Sequence, residues 1–220
     1  MVCAVAASNM EHPRRFRSYK VRENTETNCA IWEAARATTA APTFFKRISI
    51  GEPGQISEDF LDAGIKCNNP TEEVIEEARL VFKDDRPVGC ILSIGTGHPG
   101  TVGLAKPDAF QKVLPLELIN VLKQIATNCE ETATRLTKKF MKCPKIYFRF
   151  SVSYGAGSIS LEEWERMGEI TSHTKSYLRD PLVTESINSI VEILCMQSKT
   201  GSLSEHVPMT IGQICALNSQ

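Results

Sequence analysis

The sequence predicts an α/β domain built on a mainly parallel sheet. Short apolar runs of strand length, at residues 2–7, 90–94 and 146–152, alternate with amphipathic helical patterns. An alanine-rich segment at 29–41 reads as a helix whose small side chains allow close packing on a sheet. At 220 residues the chain has the length of one domain, or of one domain with a small appendage. Its 42% apolar and 23% charged residues place it among folded globular chains rather than disordered ones.

Each element follows in order. Residues 2–7 (Val-Cys-Ala-Val-Ala-Ala) read as a short buried strand with no sequence before it, so its sheet neighbours are expected from upstream coding sequence. The cluster Arg14, Arg15, Arg17, Lys20 and Arg22 reads either as a solvated surface loop or as a contact for an anionic headgroup or acyl phosphate. Pro42 closes the alanine-rich helix, "FFKRISI" reads as a strand and "GEPGQISE" as a loop. After "FLD", Asn69 suits an N-cap, Pro70 the first helical position and Glu72 the third. Val74, Ile75, Ala78 and Val81 or Phe82 supply the apolar stripe of that helix.

Farther on, Pro107 and Pro115 mark a loop, and spacing from Leu118 to Phe140 predicts one long amphipathic helix. Alternation in "KIYFRFSV" puts Ile146, Phe148, Phe150 and Val152 on one strand face. Ser160 with Glu163 opens a helix through Trp164, Met167 and Ile170, and another follows Pro181 over Ile187, Ile190, Val191 and Leu194. From Ser198 the tail is polar and expected to fray.

Composition narrows the function. A net charge of −1 gives no field to draw in phosphate backbones, so no nucleic-acid partner is expected. The eight cysteines have neither zinc spacing nor a disulfide framework, so no metal is expected and a reducing, cytoplasmic setting is. No apolar run approaches the length of a transmembrane helix, and "MVCAVAAS" is too short for a signal sequence.

Two motifs bear on chemistry. "CILSIGTGHPG" matches G-x-G-x-x-G after a strand, but Gly100 is followed by "TVGLAKPDAFQKVLP", where no helix can start cleanly to hold a pyrophosphate. No second strand ending in an acid follows, so neither a dinucleotide nor any other cofactor is expected. The other motif is "FLDAGIKCNNP". Asp62 ends an apolar strand, where partial desolvation raises a carboxylate's basicity, and the small residues Ala63 and Gly64 allow close approach. Asp62 is thus a general base or an ordinary turn aspartate. Cys67 would be a nucleophile only beside a base. Ser93, Ser153 and Ser158 lack an elbow context, and His98 reads as a loop histidine.

These segments resemble one family. "FLDAGIKCNNPTEE" is similar to the catalytic-aspartate segment of patatin-like phospholipases, "IWEAARATTAAPTFF" to the helix and loop before it, and "LSIGTG" to a strand of that family. "IATNCEETATRL", "YFRFSVSYG" and "LEEWERMGEITSHTKSYL" resemble its fungal branch. The resemblance implies a three-layer α/β/α fold and a Ser–Asp dyad hydrolysing acyl esters of phospholipids or galactolipids at a membrane surface, with Asp62 as base. Ala63 departs from the family's usual glycine. The chain has neither Gly-x-Ser-x-Gly nor a Gly-Gly pair. Residues 1–197 therefore resemble the C-terminal portion of such a domain, with 198–220 as a tail. The nucleophile, the oxyanion donors and further domains would lie in the parent protein. Two readings stand: a lipid acyl hydrolase whose first half lies outside this chain, inactive as it stands, or a non-catalytic remnant or interaction module.

Overall fold

A computed structural model describes residues 1–22, 28–42, 44–51, 54, 56–97, 129–152, 159, 163–199 and 209–217. They fall into two compact units, divided at Val81–Phe82 and at Thr132–Ala133.

The first unit is a sheet with helices on both faces. Strand β1 (Val2–Ala6) reverses at residues 7 and 8 into β2 (Asn9–Phe16); β3 (Ile48–Ile50) and β4 (Glu58–Asp62) complete the order β2-β1-β4-β3. Every pairing in this sheet is antiparallel. Parallel pairing, expected to dominate, occurs among the described residues between β6 (Ile91–Ile94) and β7 (Tyr147–Phe150). The reason is connection length: a tight hairpin can join only antiparallel neighbours, whereas a parallel pair needs a crossover of a dozen or more residues.

The first strand is not orphaned. It lies between β2 and β4 and is paired along both edges. Its alternation separates two cores. Ala4 and Ala6 pack with Phe16, Phe60, Ile50 and Ala37 on the side of helix α1 (Ile31–Thr38). Phe16 and Phe60 meet edge-on at 5.1 Å. Cys3 and Val5 pack on the opposite side with Ala63, Leu61 and Cys67, beneath the short helix α2 (Gly64–Cys67). Thus the helix–sheet–helix layering is present in this unit.

The basic cluster belongs to edge strand β2, where Pro13 costs no interior ladder bond. Arg15 and Arg17 reach the acidic face of α3 (Thr71–Phe82). Arg15 Nε donates to Glu73 at 2.7 Å, and its Nη2 to Glu76. Arg17 donates twice to Glu77, at 2.6 and 2.7 Å, and Tyr19 adds its hydroxyl at 3.0 Å. Arg14 pairs with Glu58 at 3.1 Å. Neither a solvated loop nor an open anion site describes these three arginines, because carboxylates of the same chain already neutralise them. The apolar stripe of α3 is corrected likewise: Ile75 and Glu77 are buried, while Val74, Val81 and Phe82 are exposed.

Asn69 Oδ1 accepts from the hydroxyl of Thr71 at 2.6 Å and weakly from its N–H, and the first helical bond runs from the Val74 N–H to the Pro70 carbonyl. The predicted cap therefore stands, one residue out of phase.

In the second unit β5 (Pro87–Val88) pairs with β8 (Met209–Thr210), and the part of α4 (residues 129–140) from Ala133 onward buries Leu136 and Phe140, the Phe140 ring stacking on Tyr147. The part of the predicted long helix before residue 129 lies outside the described residues. A 3₁₀ turn (Trp164–Arg166) leads into α5 (Met167–Leu178); Ser160, its expected start, lies outside the described residues. Asp180 caps α6 (Pro181–Lys199), accepting from the Leu182 N–H at 2.9 Å. Ile190 and Ile193 bury against Phe148, whereas Val191 and Leu194 remain exposed.

Within the polar end of the chain, residues 209–217 are ordered into a strand and a helix. β8 runs into α7 (Ile211–Ala216), where Thr210 and Gln213 make a reciprocal capping box at 3.3 and 2.8 Å. Ile211 and Ile214 are buried. The Thr-x-x-Gln spacing with two isoleucines is the local signal that overall polarity had masked.

Candidate active site

The site is best built from the end of β4. Asp62 is its last residue, opposite Ala4 of β1. Its backbone N–H donates to the Ala40 carbonyl at 3.1 Å. That carbonyl is free because α1 stops at Thr38, earlier than the expected 41: the Thr39 hydroxyl donates to the Ala35 carbonyl, and the Ala40 N–H turns back to Ala37. The alanine–threonine run thus ends its helix in time to pin the backbone of Asp62. Sequence reasoning treated it as helix and missed this role.

At the other end, Glu33 accepts from the Ala30 N–H at 2.7 Å, giving half a capping box; alanine has no side-chain oxygen for the other half. The Thr38 hydroxyl donates to the Cys3 carbonyl at 2.6 Å, tying α1 to β1.

The carboxylate of Asp62 is half-buried, and its Oδ1 accepts the Gly64 N–H at 2.7 Å. Burial raises its pKa above the ordinary aspartate value, and the Gly64 N–H only partly offsets this. Among the described residues Oδ2 has no hydrogen-bond donor, so this is the oxygen open to a proton. A methyl group at Gly64 would stand 3.1 Å from Oδ1, which explains a residue without Cβ there. Ala63, where a positive φ would have been strained, has φ −69° and ψ −9° and is buried. Alanine fits the turn without distortion.

The other sequence candidates sit differently. Cys67 packs in the same cluster as Cys3; that neighbouring thiol and then burial push its pKa up, so it is not an activated nucleophile. Ser93 is buried and accepts from the Arg149 guanidinium at 2.9 Å. Gly95 adjoins that guanidinium so closely that a Cβ would come 2.5 Å from Nη2, and Gly97 has φ +135°. These two glycines of the G-x-G pattern serve packing and a turn. His98, Ser153 and Ser158 lie outside the described residues. A cavity of about 320 Å³ lined by Met1, Phe16, Cys29 and Ile31 does not reach Asp62. Among the described residues no three His, Cys, Asp or Glu side chains converge to hold a metal ion, and no helix is long and apolar enough to cross a membrane.

The chain is similar to phospholipases: it is 31% identical to the calcium-independent phospholipase A2-gamma of Oryctolagus cuniculus over 121 residues, 55% of this chain and 14% of that protein. It is 31% identical to phospholipase A I of Arabidopsis thaliana over 122 residues, 55% of this chain and 8% of the relative. To patatin-like phospholipase 1 of Plasmodium falciparum it is 23% identical over 204 residues, 81% of this chain and 30% of that protein.

The homologues of this chain are patatin-like phospholipases, at modest identity over part of its length. These relatives are mammalian, plant and protozoan and lend no support to a fungal branch. A match spanning 81% of the chain leaves too few residues outside it to miss position 62. The chain spans less than a third of each of these relatives. No protein-family model matches it, and no solved structure matches it significantly.

Proposed function

We propose that this chain carries the base-bearing part of a patatin-like lipid acyl hydrolase and that Asp62 is its general base. The reading rests on one observation: a half-buried carboxylate at a strand end, with raised basicity, one oxygen held by Gly64 and the other open. The relatives are phospholipases, which makes phospholipids the substrates of this reading, with galactolipid acyl esters the finer alternative.

The chemistry follows from those atoms. Oδ2 takes the proton of a serine hydroxyl as its oxygen attacks the ester carbonyl, and returns it to the leaving alcohol. Hydrogen bonding of Oδ1 to Gly64, together with the Asp62 N–H on Ala40, fixes the plane in which Oδ2 points. The serine and the oxyanion donors are not in a Gly-x-Ser-x-Gly or Gly-Gly motif of these 220 residues. Upstream sequence of the parent protein supplies them, and the 220-residue chain alone has background activity only.

The test has two arms. The natural transcript is read upstream of Met1, and the longest in-frame protein is assayed on phospholipid vesicles beside its Asp62→Asn variant. A loss of about 100-fold or more in kcat, with little change in KM, is expected for Asp62→Asn. An unchanged kcat would remove Asp62 from the mechanism. A message that opens at Met1 would instead favour the interaction-module reading.

A further inference from the structure

The two cysteines of the first unit that share a core cluster sit immediately behind the Asp62 turn. Cys3 projects from β1 toward α2, and Cys67 is the last residue of α2. Both pack in one cluster with Ala63, Val5 and Leu61. Neither is engaged in a disulfide here. The fold thus brings two thiols from elements far apart in sequence into one packed core, the proximity that a disulfide needs.

We propose that Cys3 and Cys67 form a reversible disulfide that staples α2 to β1, with a small-molecule disulfide as the oxidant. One cysteine thiolate attacks a sulfur of the reagent RS–SR, forming a mixed disulfide and expelling RS⁻. The second cysteine, as thiolate, attacks the protein sulfur of that mixed disulfide; the Cys3–Cys67 bond forms and the second RS⁻ leaves. The protons lost by the two thiols end on the two RS⁻, so the protein gives up two electrons and the reagent becomes two RSH. Access sets the order: Cys67 is partly exposed and Cys3 is buried behind it, so Cys67 is the attacking sulfur and Cys3 the resolving one.

Oxidation closes a loop over β2, α1, β3 and β4, which restricts the unfolded chain and raises the melting temperature. It also fixes α2, whose first N–H holds Asp62. The staple itself stands whether or not Asp62 acts as a base.

The experiment uses the whole 220-residue chain, incubated with glutathione disulfide, alkylated, digested and mapped by mass spectrometry, with a melt run in parallel. The expected result is a Cys3–Cys67 linked peptide that dithiothreitol removes. A rise in Tm of about 5 °C or more should accompany it. Both are lost in Cys67→Ser and kept in Cys195→Ser. Cys67 is only half-buried, so its serine variant should fold even where Cys3→Ser does not. The proposal is overturned if the exposed Cys195 reacts fully while Cys3 and Cys67 stay alkylatable or carry separate glutathione adducts.

Discussion

Asp62 illustrates how little a residue's type says and how much its setting does. As a pattern it reads as a general base or a turn aspartate; the structure adds a half-buried strand end with a single N–H on one oxygen. That setting has a sign that can be measured. A carboxyl whose pKa is raised by folding binds its proton more tightly in the folded state, so ionising it opposes folding. Stability from this group is therefore full below the ordinary aspartate range and falls as pH rises through the folded pKa. A melt series from pH 3 to 7 should show that falling contribution in the wild type and lose it in Asp62→Asn; identical profiles would mean that the carboxyl is not desolvated. Gly95 supplies a second test at this scale. Gly95→Ala drives a methyl group into the Arg149 guanidinium and toward Ser151, and should cost about 1–3 kcal/mol by urea unfolding. A neutral result would mean that Arg149 swings aside freely.

At the scale of elements, the bond between β2 and α3 is ionic where an apolar stripe was expected. Arg17 and Glu77 are both nearly inaccessible, with side-chain exposures of 6% each, and they meet in a bidentate pair. Arg17→Ala leaves the buried Glu77 carboxylate with only the Tyr19 hydroxyl at 3.0 Å and Arg15 at 3.5 Å, and is expected to destabilise the first unit by about 1–3 kcal/mol. Arg17 also holds the Glu77 carboxyl below its ordinary value. Its contribution is thus complete above the ordinary glutamate range and is lost as pH falls through the depressed folded pKa. Glu77→Gln should flatten the acid limb of the stability profile. An acid limb unchanged by that substitution would show that other carboxylates govern it. The sequence displayed both partners, but their pairing joins elements separated by α1, β3, β4 and α2, which no local periodicity reports.

For the whole molecule the informative feature is exposed apolar surface. Ile31 and Trp32 on α1 are 82% and 66% exposed, and Ile56 is 98% exposed. Such side chains mark surface that other groups cover or that binds apolar ligands. The isolated 220-residue chain is expected to bind a hydrophobic dye strongly, and a longer in-frame protein to bind less per molecule. A cooperative melt with no dye response would count against this. β1 is paired along both of its edges, so the open edges of this sheet belong to β2 and β3.

What the sequence determined by itself was local. Alternation located β7, short apolar runs located β1 and β6, and the apolar pair before Asp62 marked the end of β4; Asn69 and Pro70 announced α3; and the segment around Asp62 pointed to a family that the relatives bear out. These signals are legible because they depend on neighbours within a turn or a strand. Tertiary structure alone decided the direction of strand pairing, the burial of Arg15 and Arg17 against α3, the Ala40 carbonyl that pins Asp62, and the packing of Cys3 and Cys67 in one cluster. Each of these joins groups far apart along the chain. Which partner each group meets is set by how whole elements pack, a choice that the residues flanking any one position do not encode.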